Sequence, residues 1–488
     1  MSVAAPVRPR ARESLTESRP MRHPDASSRE VMTRRGWWLV VLNVLVPGSA
    51  QILAGNRRLG RFGLGATLFL WAVLALTALG ALLWPSGLFA LATGSFIPDF
   101  LAWFRWVPLT LVQVVLVGYV VLWIVLTIDT LRLVRLVRTG PVARWAMAVV
   151  SVGLLVVTGS GAAWAGQAAG TTRDAFASIF AESAPVVPPS DGYYNILLLG
   201  ADSGEGRDSM RFDSISVVSV NASTGAVTIT GIPRDMPHFP FAPGPMQDEY
   251  PDGHQGKYDP TCGWGSGINQ LRTEVEVCQD GNALYPDAKA NGSEPGIEAT
   301  KDAAEGILGI QIPYYVLIDM KGFADVVDAL GGVDITVDER LPKGGPAYDG
   351  QPVDDWAFGW IEPGAQHMDG DTAQWYARSR YTTSDFDRMR RQRQLQEAIL
   401  AQFTPQNVLQ HFQQVAAAGT NILETDLPQG LIAPTLVDLA LKAKDQPVTT
   451  IELTPEGGVD EFDPDYAQVQ QIVRDKLHPP TETESPAP

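Results

Sequence analysis

Histidine and cysteine are scarce in this chain. Six histidines lie scattered, which excludes a zinc-type centre built from clustered His and Cys ligands. The only two cysteines, Cys262 and Cys278, make either one disulfide, worth roughly 3 kcal/mol in loop entropy and at home in an oxidising compartment, or two buried thiols. No early apolar segment with a small-residue cleavage site opens the chain, so a cleavable signal peptide is not expected. Acidic residues are rare in the first 170 residues, which carry a net +10, whereas residues 171–488 carry −27. A field of that sign repels polyanions, so no nucleic-acid role is expected.

What is present divides along the chain. Residues 1–35 are polar and arginine-rich and read as a disordered cytoplasmic tail. Residues 36–168 form a membrane region with four apolar stretches, at 37–54, 62–84, 107–128 and 145–165. The last three are long enough to span about 30 Å of hydrocarbon. The first is interrupted by Asn43, Pro47-Gly48-Ser49 and Gln51, and reads as re-entrant or interfacial. Arg57, Arg58 and Arg61, and then Arg132, Arg135, Arg138 and Arg144, mark two basic loops. With three crossings both stay cytoplasmic and everything after 170 lies outside the cell.

A linker at 169–192 leads to a domain at 193–477, followed by a tail at 478–488. Strands are expected at 193–199, 211–218, 226–232, 314–319, 333–337 and 448–453, and helices at 298–308, 322–330, 385–403, 408–417, 431–443 and 466–477. The domain is organised around residues 376–403, where Arg378, Arg380, Arg388, Arg390, Arg391 and Arg393 fall within sixteen residues. Ser384 or Asp385 caps a helix in which Arg388, Gln392, Leu395 and Ile399 share one stripe, with Arg391 at its edge. Arginines continuing a core-facing stripe call for an anion. Arg390, Arg393 and Glu397 are expected to face solvent, with an Arg393/Glu397 pair. Arg378 and Arg380, two apart, point to one face if extended. Such planar donors, together with the free amides of a helix start, suit phosphate oxygens.

Three strands also end or begin at charged residues: Asp202, then Arg211 with Asp213, then Arg234. Two aspartates can hold a hard divalent ion while arginines take the phosphate oxygens.

The motifs NILLLGAD (195–202), RFDSISVVSVN (211–221), IPRDM (232–236), HMDGDTAQWYARSR (367–380) and DFDRMRRQRQ (385–394) together resemble the LytR-CpsA-Psr family. The multi-span anchor is similar to that of some actinobacterial members. The resemblance implies an α/β (α+β) fold with a mixed, largely antiparallel central sheet between helices. It implies a membrane-anchored phosphotransferase that moves a glycan 1-phosphate from a polyprenyl pyrophosphate to peptidoglycan. Mg²⁺ or Mn²⁺ would sit near Asp202 and Asp213. The pyrophosphate would meet Arg211, Arg234, Arg378, Arg380 and Arg388, with Asp385 and Gln392 orienting the arginines. A Lys-Ile-Asn motif of the family is matched here only by Gly267-Ile268-Asn269, so Lys257 is the candidate replacement. A polyprenyl-pyrophosphate hydrolase and a noncatalytic carrier-binding regulator are the alternatives.

Overall fold

The structure is a computed structural model that describes residues 21–93, 97, 104–179, 186–201, 211–256, 267–348, 350–402, 423–443, 446–460 and 462–479. It divides into two units, Met1–Leu88 with Val107–Gly170, and Phe89–Trp106 with Thr171–Pro488.

The first unit is helical: α1 (Arg29–Leu45), α2 (Ser49–Ala54), α3 (Arg57–Leu83), α4 (Val107–Val134) and α5 (Pro141–Ile179). Three segments, Arg57–Leu83, Val107–Arg138 and Pro141–Gly170, are long and apolar enough to cross a membrane. Two expected boundaries change. Ser28 caps α1, so residues 29–35 are helix rather than tail, and α5 runs on to Ile179, through much of the expected linker.

The interrupted stretch resolves into α1 and α2 joined by an elbow at Val46–Gly48. Gly48 has φ +95°, and a Cβ there would lie 2.3 Å from the Leu64 amide nitrogen, so only glycine fits. The polar residues that broke the apolar pattern dock the elbow on α4. Asn43 Nδ2 donates to Thr127 Oγ1 at 3.0 Å, and Gln51 Nε2 to Leu126 O and Thr130 Oγ1 at 2.8 and 2.9 Å.

The second unit is built on a six-stranded sheet whose strands are β1 (Tyr193–Ala201), β2 (Phe212–Asn221), β3 (Val227–Ile232), β4 (Tyr314–Asp319), β9 (Leu423–Thr425) and β10 (Thr449–Glu452). Their order is β10-β3-β2-β1-β4-β9. Pairings β2–β3, β1–β2 and β4–β9 are antiparallel, whereas β1–β4 and β3–β10 are parallel, giving the expected mixed, largely antiparallel α+β sheet. Strand β5 (Val333–Val337) pairs with β8 (Gly364–Met368), and β6 (Leu341–Lys343) with β7 (Gly359–Ile361), in two separate ribbons.

Alternation decides which layer covers which face. Leu197, Leu199, Ile215 and Val217 turn one way, into a core shared with α6 (Pro295–Leu308) and the last helix, α10 (Tyr466–Leu477). Between them in sequence, Ser216 turns the other way and meets α9 (Asp385–Gln402), where Gln396 Nε2 donates to its Oγ at 3.0 Å. Helix α9 packs its Leu395 with Val327 of α7 (Met320–Ala329), with Tyr376 and Ala377 of α8 (Gly370–Arg378), and with Val333, Ile335 and Met368 of the β5–β8 ribbon. The expected helix at 408–417 lies outside the described residues.

Candidate active site

One hairpin and two helix termini build the site. In the β2–β3 register Ile215 faces Ile232, so Asp213, two residues before one, stands opposite Arg234, two residues beyond the other. They close a salt bridge, Arg234 Nη1 to Asp213 Oδ1 at 2.5 Å. Arg234 Nε also donates to Asp235 at 3.2 Å, and its Nη2 lies 3.8 Å from Asp385. Burial alone would lower the Arg234 pKa, but the Asp235, Asp213 and Asp385 carboxylates reverse the balance and raise it.

Helix α9 supplies the opposite wall. Ser384 caps it reciprocally with Asp387: Ser384 Oγ accepts from the Asp387 amide at 3.1 Å, and Asp387 Oδ2 accepts from the Ser384 amide at 3.0 Å. That leaves Asp385 to hold Arg388, with Nη2 donating at 3.0 Å. Arg388 is 4% exposed, and its Nε has no hydrogen-bond partner among the described residues. Burial, and then the neighbouring Arg234 cation, lower its pKa. A buried charged donor left unmet costs about 1–3 kcal/mol or more, which marks a place where an acceptor belongs.

Asp213, Arg234, Arg378, Arg380, Arg388 and Gln392 line one cleft of about 250 Å³, together with Gly344, Gly345, Trp375, Ala377 and Tyr381. Among the described lining residues, four guanidinium groups therefore accompany one carboxylate. Gln392 donates to Ala377 O at 3.4 Å, while its buried Oε1 meets no partner among the described residues.

Several expectations change at this point. Arg378 and Arg380 do not sit on a strand: Arg378 is the last residue of α8, and Ser379 caps it, because the helical phase that buries Ala373, Tyr376 and Ala377 continues to 378. Arg391 does not turn into the cleft. Its Nε donates to Tyr376 O at 3.2 Å, and its Nη2 to Ser379 O and to Thr383 Oγ1, so it ties the end of α8 to α9. Arg393 is buried rather than solvated, and its partner is Glu452 of β10 at 3.5 Å, not Glu397. It lies over Gly231, where a Cβ would be 2.9 Å from its guanidinium carbon, so the missing side chain on β3 makes the room. Arg390 is half exposed and pairs with Asp387 at 2.5 Å.

Arg211, one residue before β2, is exposed and is not among the described lining residues. Asp202 follows the last residue of β1 and lies outside the described residues, as do Lys257 and Cys262. Cys278 is disulfide-bonded. At Gly267, which stands in the lysine position of the family motif, a Cβ would meet Arg234 O at 2.8 Å. Asn269 instead braces the loop, donating to Asp235 at 3.4 Å and, through its amide, to Arg234 O at 3.2 Å.

The LytR_cpsA_psr family model matches residues 166–238 and 276–477, and the interruption holds Cys262 but not Cys278. The chain belongs to the LytR_cpsA_psr family. Among curated relatives of this LytR_cpsA_psr protein is the polyisoprenyl-teichoic acid–peptidoglycan teichoic acid transferase TagU of Bacillus cereus (strain AH820). It is 28% identical over 238 residues, which are 48% of this chain and 61% of the relative. TagU of Halalkalibacterium halodurans is 29% identical over 211 residues, 43% and 53% of the two chains. The chain thus spans about three-fifths of the length of the curated relatives it matches first. Of solved structures, protein gbs0355 from Streptococcus agalactiae aligns with a TM-score of 0.41 at 22% identity, covering 58% of this chain and 88% of that one. With three helices able to cross a bilayer, this LytR_cpsA_psr chain is a membrane protein.

Two lining residues, Trp375 and Tyr381, and the Gly344-Gly345 pair were not singled out from sequence. The signal available was that dipeptide immediately after a short strand, beside a run of aromatics.

Proposed function

We propose that the chain is a membrane-anchored phosphotransferase that moves a glycan 1-phosphate from a polyprenyl-pyrophosphate carrier onto peptidoglycan. The observation carrying this reading is the cleft in which Arg234, Arg378, Arg380 and Arg388 converge, with Arg388 buried and one donor unmet. The transferase activity for which its TagU relatives are named supports the same class of donor and acceptor. A pyrophosphate brings the oxygens that such a cup of planar donors lacks.

In this reading an acceptor hydroxyl forms a bond to the sugar-linked phosphorus, and the bond from that phosphorus to the bridging oxygen breaks. The departing prenyl phosphate keeps the electron pair, and the hydroxyl proton passes to a base, for which Asp202 and Asp213 are the candidates. The arginines meet charge as it develops on the phosphoryl oxygens, without reorganising. Asp385 and Gln392 orient Arg388 and the end of α8.

Mg²⁺ or Mn²⁺ fits Asp213 in one respect, a hard carboxylate on the cleft wall that is 23% exposed. Among the described residues no group of three His, Cys, Asp or Glu is placed to hold a metal, so Asp202 and the phosphate oxygens would complete the set. Such an ion would neutralise phosphate charge. Loss of Mg²⁺-dependent pyrophosphate affinity in Asp213→Ala, read by calorimetry, tests this; an unchanged metal dependence removes Asp213 from the set.

The placement is multi-pass, with the domain outside the membrane and the basic loops inside. The arginine asymmetry and the disulfide at Cys278 support it.

The test is incubation of the full chain with a short-prenyl pyrophosphate saccharide, Mg²⁺ and a peptidoglycan fragment, followed by mass analysis. A saccharide joined to the fragment through one phosphate is expected. Arg388→Ala and Arg380→Ala should each lower the yield by about 10²–10³-fold with an unchanged melting temperature. Wild-type turnover in both variants defeats the clamp.

A further inference from the structure

The arginine cup has an aromatic lip that the transfer chemistry does not use. Trp375 and Tyr381 line the cleft beside Gly344 and Gly345. Each ring is held from two sides. Arg378 Cζ lies 5.2 Å from the Trp375 centroid, and Phe358 meets that indole edge-on at 5.3 Å. Arg380 Cζ lies 5.9 Å from the Tyr381 ring, and Trp356 meets it edge-on at 5.0 Å. Tyr381 and Phe358 are nevertheless 47% and 69% exposed, so apolar ring surface is presented to solvent.

Beside the rings the cleft is lined by two glycines, Gly344 and Gly345. Gly344 has φ +125°, a conformation that L residues rarely adopt, and a Cβ on it would meet Trp356 O at 2.9 Å. A Cβ on Gly345 would lie 3.3 Å from the Tyr381 hydroxyl, so any longer side chain would fill the space in front of that ring. The result is a bare backbone floor with two braced aromatic walls, adjoining the guanidinium groups.

We propose that this lip seats a pyranose ring, the first sugar of the pyrophosphate-linked donor. The inference rests on the cup's holding a pyrophosphate, since that sugar is one oxygen away from the bound phosphorus and must lie against an adjoining wall. A pyranose offers a C–H face to an aromatic ring and hydroxyls to polar groups around it. The lip supplies both kinds of partner, ring faces beside a tyrosine hydroxyl, main-chain amides and guanidinium groups. A prenyl chain would strip water from those same groups and give nothing back, and so it belongs elsewhere. Trp375, Tyr381 and the glycine floor thus select for a cyclic sugar over other pyrophosphate esters.

The test is calorimetric titration of the full chain in detergent micelles with two diesters of equal charge, farnesyl-pyrophosphoryl-N-acetylglucosamine and farnesyl methyl pyrophosphate. Their affinity ratio isolates the sugar, because a change in the cup alone moves both affinities together. The saccharide is expected to bind at least about tenfold tighter. That ratio should fall toward one in Trp375→Ala, Tyr381→Ala and Gly345→Val, and largely survive in Trp375→Phe. Equal binding of the two esters by the wild type, or an unchanged ratio in the alanine variants, overturns the lip while leaving the cup standing. Failure of the wild type to bind either ester overturns the cup, and the lip with it.

Discussion

At the scale of single residues, the arginine-rich segment shows that proximity in sequence does not assign a common task. Arg388 faces the cleft, Arg391 knits backbone carbonyls, Arg393 reaches across to Glu452, and Arg390 stays near solvent. Helical phase identified Arg388 and Gln392 but placed Arg393 on the wet side, because a stripe calculation cannot see that β3 has a glycine under it. Arg393→Met should destabilise the protein by about 3–5 kcal/mol, since Glu452 is then left half-buried and unpaired. The double change Arg393→Met with Glu452→Leu should recover much of that loss, as read from thermal melts; equal loss in both would mean that the pair contributes nothing. A second residue-scale prediction concerns Asp302, whose carboxyl burial pushes up to about 6, while the Tyr285 hydroxyl donates to it at 2.5 Å. A raised carboxyl pKa means that the folded state holds a proton the unfolded chain has released. Stability should therefore fall as pH rises from about 4 through 6, and Asp302→Asn should flatten the slope; an identical pH–melting profile in that variant would remove Asp302 as its origin.

Elements were more legible than their partners. The apolar runs placed β1, β2, β3, β4 and β5 within three residues at either end, because short buried strands announce themselves by composition. Nothing in the run at 333–337 distinguishes a strand of the central sheet from one in a separate ribbon, since both bury alternate residues. The end of α8 was misread for a related reason: two arginines at spacing two fit a strand face as well as a helix end and its cap. At α9, the reciprocal Ser384–Asp387 cap leaves Asp385 for Arg388 and Arg234. Ser384→Ala should cost about 1 kcal/mol and, by loosening the first turn, weaken pyrophosphate binding as well. A melt shift without any change in affinity would separate the cap from the site.

At the scale of the whole molecule, the sign of charge divides the chain more sharply than any motif, and it yields a topology prediction. A cysteine placed at Val137, which is 82% exposed in the second basic loop, should resist membrane-impermeant thiol reagents in intact cells, and one at Phe358 should react. The reverse pattern would invert the orientation. The site within the second unit depends on strand pairing, since β2 and β3 bring Asp213 to Arg234 only in one alignment. Slipping that hairpin by two residues keeps every side chain on its proper face, so the hydrophobic pattern alone does not forbid the error. The slip would carry Arg234 about 7 Å along the strand direction and strand it away from its carboxylate. Misregistered molecules would thus be marked by a half-buried cation left with Asp235 alone, and the bridge between β2 and β3 also acts as a proofreader of the fold.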